Sequence, residues 1–254
     1  PGFGEAGVFE DPRLGSCSVR AVPGGGLLLS GPAAGAGSER NGAIQLVLLT
    51  ATGAPDPGFG NGAPVNATAA AEAVGGGPWQ LAGIAIEPGG RIVVGGGGGD
   101  AVLLGLAANG APDPAFGTAG AVVAPGQVSS WTRAGAVAVE PDGELIVSGV
   151  TDSGGAERRP FWMRFDADGK LLPTASGAPF AAAPVASRQL RAAGSDYLYS
   201  LVGDARPRIA KFARDGSLVA GFGRGGLFSL APGFAASSFV VDPKGGVSVH
   251  GMAG

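Results

Sequence analysis

Short apolar runs, each bounded by glycine, proline or aspartate, recur along the whole chain. Four copies of one pattern read AVPGGGLLLS (21–30), IEPGGRIVVG (86–95), VEPDGELIVS (139–148) and VDPKGGVSVH (241–250). A degenerate fifth copy, AAGSDYLYSLVG, occupies 192–203. Apolar runs of this length, rich in β-branched residues and separated by tight-turn residues, predict β-strands. Their return at intervals of about 55 residues predicts that one repeat is the unit of folding.

A second motif precedes the proline pattern and combines a tight turn with a Phe-Gly pair. It reads LVLLTATGAPDPGFGNG (46–62), LLGLAANGAPDPAFGTAG (103–120) and FARDGSLVAGFGRGG (212–226). A further copy, WMRFDADGKLLPTASG (162–177), keeps the turn but has lost the Phe-Gly. The phenylalanine follows the turn glycine at a constant spacing, as in Gly110 and Phe116. We therefore predict that it is buried as a plug between neighbouring repeats, with Phe3 in the same role.

Each of the first four repeats contains predicted strands a to d in chain order; in the third these are a (Ala121–Val123), b (Ala136–Glu140), c (Glu144–Ser148) and d (Phe161–Phe165). Four antiparallel strands per repeat, repeated about five times, predict an all-β fold, a β-propeller of about five four-stranded blades. The prediction is a single domain (1–254) with repeats at approximately 1–53, 54–110, 111–169, 170–216 and 217–254. The last repeat lacks strand d. A three-stranded blade, a blade completed by sequence outside this range, and a larger ring are the alternatives. Only Ala67–Val74 predicts a short helix.

These motifs resemble the delta-sixty repeat family of bacterial propeller-like proteins. The matching segments are Asp56–Gly60, Asp113–Gly117 and Pro141–Gly143, and the poorest copy is about 170–210. The resemblance covers nearly the whole chain. It implies a propeller fold and a secreted, periplasmic or cell-surface location. It supplies no catalytic residue, because the motif positions are those of turns and packing.

Composition narrows the classes of protein to which the chain can belong. Hydrophobic residues make up 45% of the sequence, enough to build a core, while 50 glycines and 20 prolines punctuate the apolar runs. A net charge of −3 argues against a nucleic-acid partner. No apolar run approaches the length of about 20 residues that a membrane-spanning helix needs. The single cysteine, Cys17, is predicted to be a buried structural thiol.

Charged residues are expected to separate between the two rims of the disc. The b–c and d–a loops share one rim, which we call the carboxylate rim. It carries few basic residues and ten acidic ones: Asp56, Glu87, Asp113, Glu140, Asp142, Glu144, Asp166, Asp168, Asp215 and Asp242. The a–b and c–d loops share the other, the arginine rim, with Arg40, Arg133, Arg158, Arg159, Arg206 and Arg208. Aspartates at turns are explained by hydrogen bonds to the backbone. The functional hypothesis is that the arginine rim docks an acidic partner.

Two tryptophans are predicted to lie on the arginine rim. Trp79 and Trp131 stand at equivalent positions in the a–b loops of adjacent repeats. Aromatic side chains beside arginines are typical of binding hot spots and of surfaces on which sugars stack. The structural alternative is that each tryptophan packs on its own blade. The candidate binding residues are Trp79, Trp131, Arg133, Arg158, Arg159, Arg206 and Arg208.

Candidate catalytic chemistry is sparse. His250 is the only histidine, and it falls in a predicted strand. The glycine run 95–99 is followed by a strand, so it lacks the helix N-terminus of a phosphate loop. Asp166 and Asp168 match only part of a calcium loop. We predict no metal, no cofactor and no catalytic residue, although a carboxylate pair of the glycosidase type stays open.

The sequence thus favours a non-enzymatic binding or scaffold propeller of the bacterial envelope or exterior. Its expected partner is a protein, with the chain acting as a subunit of a larger assembly. The alternative function is a carbohydrate-binding or carbohydrate-active propeller, which the two tryptophans motivate. We expect no nucleic-acid partner and no membrane span.

Overall fold

The computed structural model describes residues 3–15, 17–34, 43–73, 81–97, 101–123, 136–151, 159–173, 181–182, 187–193, 197–202, 206–242 and 244–253. These residues form five antiparallel sheets. The first sheet contains β1 (Ser18–Ala21), β2 (Leu27–Pro32), β3 (Ile44–Leu49) and β4 (Val65–Asn66). The second contains β5 (Leu81–Ile86), β6 (Ile92–Gly97), β7 (Ala101–Leu106) and β8 (Ala121–Val123).

The third sheet contains β9 (Ala136–Val139), β10 (Leu145–Thr151), β11 (Arg159–Phe165), β12 (Leu171–Leu172) and β13 (Ala181–Ala182), the last two both paired with β11. The fourth contains β14 (Ser187–Ala193), β15 (Tyr197–Val202), β16 (Arg208–Ala213) and β17 (Leu227–Ser229). The fifth contains β18 (Phe234–Val241) and β19 (Val247–Ala253). A short helix, α1 (Ala67–Ala73), confirms the predicted helical stretch, and a 3-10 turn spans Gly60–Gly62.

Each sheet packs face to face against the next, as in a propeller. Alternate residues of one strand enter the two neighbouring interfaces, because successive side chains of a strand point to opposite faces. Val94 thus packs in the core between the first and second sheets, whereas Val93 packs in the core between the second and third. The same alternation places Leu198 and Leu201 in the cores on either side of the fourth sheet. The all-β propeller prediction is confirmed.

The composition of each sheet differs from the grouping that the repeats suggested. The strand after Phe-Gly pairs with strand d of the preceding repeat: β8 pairs with β7, aligning Val122 with Leu103. Each four-stranded sheet therefore runs b, c, d and then a. The reason is local, since the segment with Phe-Gly reverses the chain and returns it beside the strand it has just left. The two rims are unaffected, because the direction of each strand is unchanged.

The phenylalanine plug is confirmed in two successive repeats. Phe59 and Phe116 are buried, and each ring lies against the turn glycine of the next sheet. A Cβ on Gly110 or Gly169 would lie 3.0 Å from the respective ring. Both glycines have positive φ, 84° and 81°, so the turn and the close approach both require glycine. Consecutive sheets are also joined by backbone hydrogen bonds, for example 2.8 Å from the Gly117 N–H to the Asp168 carbonyl.

The repeat that lost its phenylalanine uses another aromatic residue. Gly216 is approached by the Trp162 ring, at 3.4 Å from a Cβ built on the glycine. Trp162 comes from β11 and packs edge-on against Phe212, with ring centroids 4.5 Å apart. At the start of the chain, Phe3 lies against Gly53 in the predicted role. An aromatic contact on the turn glycine is thus kept even where the motif is lost.

The fold bears on two predictions, the absence of a membrane-spanning helix and the burial of Cys17. No helix within the described residues is long and apolar enough to cross a membrane. Cys17 is exposed, so the prediction of a buried thiol is wrong. Its position immediately precedes β1, outside the paired ladder of Ser18–Ala21.

Candidate functional site

On the arginine rim, two loops of the fourth sheet line a cavity of 760 Å³. One wall is the segment from Arg206 to Arg208, which leads into β16. The other wall is the a–b segment 229–233, which follows β17. The Leu230 N–H donates a hydrogen bond of 3.2 Å to the Pro207 carbonyl and joins the walls. The predicted meeting of c–d and a–b loops on one rim is therefore present here.

Within the described part of the chain, neither arginine of this cavity pairs with a carboxylate, and Arg208 has a buried donor without an acceptor. Arg208 is half-buried at the start of β16, where it is aligned with Val202 and Ser229. Its buried Nε has no hydrogen-bond acceptor there. Arg206 is exposed, and no described carboxylate lines the cavity. A buried donor without an acceptor is costly, and a guanidinium presents a planar fork that matches a carboxylate or phosphate.

The structure thus brings together two of the predicted binding residues, Arg206 and Arg208. Arg159 begins β11, where it is aligned with Thr151 of β10. The other predicted members of this rim lie outside the described residues: Trp79, Trp131, Arg133 and Arg158, together with Arg40. The proposed aromatic surface accordingly stays a prediction.

On the carboxylate rim, aspartate side chains close the turns. The Asp113 carboxylate accepts a hydrogen bond of 3.0 Å from the backbone N–H of Ala115, two residues later. The same arrangement recurs from turn to turn, in Asp56 with Gly58, Asp142 with Glu144, Asp166 with Asp168, Asp215 with Ser217, and Asp242 with Lys244. These contacts favour the structural interpretation of the turn aspartates.

Arg91 neutralises one group of carboxylates on this rim. Its Nε lies 2.7 Å from Asp113, and its two terminal nitrogens lie 3.3 Å from Glu87 and 3.8 Å from Asp168. Burial raises the pKa of the Glu87 carboxyl, against the opposing effect of Arg91. The Ala115 N–H, followed by the Arg91 guanidinium, lowers the pKa of Asp113. Since Asp168 belongs to the next sheet, Arg91 links two blades.

A second network joins the third and fourth sheets. Arg164 pairs with Glu140 and Glu144, and it donates a hydrogen bond of 2.9 Å to the Arg214 carbonyl. Arg214 pairs with Asp142 at 2.9 Å and with Glu144 at 3.0 Å. Burial raises the pKa of Glu140, which Arg164 and Arg214 oppose, whereas the hydrogen bond from Arg214 lowers the pKa of Asp142.

These networks correct the expectation of few bases on the carboxylate rim. Arg91, Arg164 and Arg214 were missed because each reaches carboxylates on other turns, which spacing along one repeat does not reveal. Oxygen atoms of Glu140, Asp142 and Glu144 lie within 4.8 Å of one another, as metal ligands would. However, two guanidinium groups already pair with them. The arrangement is suited to cross-linking blades.

His250 lies exposed on β19, aligned with Ser238 of β18.

Five antiparallel sheets packed face to face, with two chemically different rims, define a propeller-type protein. A family model described as a domain of unknown function (DUF5122) beta-propeller matches residues 140–171. No curated protein gives a significant match to the chain.

Two solved structures are similar in fold. A protein of unknown function from Bacteroides caccae is 13% identical, with a TM-score of 0.42 over 87% of this chain and 64% of that one. The PQQ-bound aldose sugar dehydrogenase from Streptomyces coelicolor is 16% identical, with a TM-score of 0.43 over 66% of this chain and 55% of that one. The chain thus spans less than two thirds of either structure. These similarities carry no argument about function.

Proposed function

We propose that the protein is a non-enzymatic binding propeller, whose arginine rim receives an acidic segment of a protein partner. One observation carries the proposal: the cavity between the two loops of the fourth sheet contains Arg206 and Arg208 and no described carboxylate. Three arginines of the opposite rim differ, since Arg91, Arg164 and Arg214 each contact at least two carboxylates.

The composition of the cavity suits an acidic peptide. Arg208 offers a buried Nε without an acceptor, and exposed Arg206 offers a second positive charge at the entrance. Pro207, Leu230 and Pro232 supply an apolar wall beside the charges. A carboxylate can satisfy the guanidinium donors while the aliphatic part of its side chain covers the apolar wall. Protein interfaces are commonly anchored by arginines in this way.

We further propose that this interaction takes place in the bacterial envelope or outside the cell, where the resemblance to delta-sixty repeat proteins would locate the chain. The rival carbohydrate function depends on Trp79 and Trp131, which lie outside the described residues. Cell fractionation of the native bacterium with a specific antibody tests the location. Recovery in the cytosol alone would contradict it.

The binding proposal is tested with a fluorescein-labelled octaglutamate peptide and fluorescence anisotropy at low salt. The wild-type protein should bind it, and Arg206→Glu/Arg208→Glu should weaken binding at least about tenfold, because two attractive charges become repulsive. Arg224→Glu is the matched control, since Arg224 is an exposed arginine of a d–a loop on the opposite rim. An octaglutamine peptide should not bind. Equal losses in the double variant and the control, or no loss in either, would reject the arginine rim as the site.

A further inference from the structure

A second positively charged cavity lies on the axis of the propeller. The innermost strands of all five sheets, β1, β5, β9, β14 and β18, line it together and enclose 390 Å³. Most of its wall is aliphatic, as at Ile84 and Val137, and Ser238 adds one hydroxyl. Its charged lining residues are Arg20 and Arg191, and no carboxylate is among the described residues of the wall. This cavity is separate from the loops that form the arginine rim.

Neither of the two axial arginines has a carboxylate partner among the described residues. Arg191 donates a hydrogen bond of 2.7 Å to the backbone carbonyl of Leu190, and its guanidinium lies 5.5 Å from the centre of the Phe239 ring. Within the described residues, Arg20 forms no hydrogen bond and no ion pair. Arg20 is carried by β1, where its neighbour across the ladder is the buried Leu28.

The electrostatic environment of the pair is unfavourable. Burial, and then the positive charge of Arg191, lowers the pKa of Arg20 to about 10. Burial also lowers the pKa of Arg191. Both side chains still carry their charge at neutral pH. Two like charges among aliphatic side chains repel each other more strongly than they would in water, because the surroundings are less polarisable.

A bound anion would offset the repulsion between the two guanidinium groups, and it would accept hydrogen bonds from their unpaired donors. We infer that the axial cavity binds a small multivalent oxyanion, such as phosphate or a compact polycarboxylate, between Arg20 and Arg191. A volume of 390 Å³ is ample for such an ion with its remaining water, each water molecule needing about 30 Å³. Guanidinium donors suit both the tetrahedral and the planar oxyanion.

The inference is tested by thermal unfolding in inorganic phosphate, in citrate and in sodium chloride at equal ionic strength. Phosphate or citrate at about 100 times its dissociation constant should raise the Tm by roughly 5 °C over chloride. The anion with the lower dissociation constant, measured by calorimetry, identifies the preferred geometry. If neither anion raises the Tm beyond chloride, the inference is wrong.

Variants locate the effect on the axis. Arg20→Gln should abolish the anion-dependent rise, whereas Arg224→Gln, an exposed arginine, should retain it. Arg20→Gln is preferred to Arg191→Gln because Arg191 also packs against Phe239. Without anion, Arg20→Gln should melt no lower than wild type, since it relieves a repulsion. A rise that persists in Arg20→Gln, or disappears equally in Arg224→Gln, would overturn the inference. The rise should persist in Arg206→Glu/Arg208→Glu, so this result and the proposed function stand or fall independently.

Discussion

The two rims of this propeller use the same residue type for opposite purposes. On the carboxylate rim, Arg91 pairs with carboxylates from several turns, and Arg164 pairs with both Glu140 and Glu144. On the arginine rim, Arg206 and Arg208 face a cavity in which no described carboxylate is present. The comparison teaches that an arginine inside a completed network belongs to the framework, whereas one with unmet donors is the better candidate for binding.

The largest expected effect concerns the framework at the carboxylate rim. Phe116→Ala should lower the free energy of unfolding by about 3–5 kcal/mol, because a buried ring is lost between two blades. The ring also supports Arg91, whose guanidinium carbon lies 5.6 Å from its centre. Phe228→Ala is the control. Because Phe228 is 53% exposed, this substitution should lower the free energy of unfolding by less than about 1 kcal/mol. Urea denaturation of both variants measures the difference, and equal losses would refute the plug.

The second effect tests whether the ion-pair network stabilises the same rim. Arg164→Gln should cost about 2–4 kcal/mol, since it removes the closer of the two guanidinium groups that compensate the buried Glu140 carboxylate. Glu144→Gln should cost less, because the Glu144 side chain is 27% exposed and water can replace part of the interaction. Chemical denaturation of both variants at neutral pH checks the order. A larger cost for Glu144→Gln would contradict the assigned burial.

The third effect is a pH dependence at this rim. The pKa of Asp113 is lowered in the folded state, so its contribution is present above the unfolded pKa near 4 and disappears as the pH falls through the folded pKa. The contribution of Glu87 to stability changes with pH in the opposite direction. Its pKa is raised in the folded state, so its ionisation becomes unfavourable for folding as the pH rises.

Unfolding curves between pH 5 and pH 2 distinguish the contribution of Asp113. Asp113→Asn should lower stability at pH 5, and it should then lose less stability on acidification than the wild type. Parallel curves for the two proteins across this range would show that Asp113 contributes nothing to the acid sensitivity.

The smallest effect is expected on the arginine rim. Arg208→Met should not lower the free energy of unfolding by more than about 0.5 kcal/mol, because it removes a buried donor that has no acceptor and keeps an aliphatic chain of similar length. Arg164→Met, the corresponding change on the carboxylate rim, should destabilise the protein clearly. If both variants lose stability equally in thermal unfolding, the distinction between the rims fails.

Much of the architecture was predictable because it depends on short-range rules. Apolar runs between turn residues located the strands, and Ala121–Val123 was predicted with the bounds that β8 has. The constant spacing of Gly110 and Phe116 predicted a plug, which the burial of Phe116 confirms. The direction of successive strands placed Arg206 and Arg208 on one rim, where they line one cavity.

Other features depend on contacts between distant parts of the chain. The assignment of β8 to the sheet of β7 follows from backbone pairing that the repeat boundaries concealed. Trp162 replaces a missing phenylalanine from a different strand, so the motif alone did not reveal it. The axial pair of Arg20 and Arg191 comes from the first and fourth sheets, and nothing in their separate repeats links them.

The repeated strands, the tight turns and the glycine positions can be read from the sequence, because they follow from backbone geometry within a few residues. Which charges are paired depends on the folded chain. A carboxylate and a guanidinium interact according to their distance in space, and the propeller brings Arg91 to Asp168 of the next blade while leaving Arg208 without a described partner. The division between framework and candidate binding surface is therefore a property of the assembled blades.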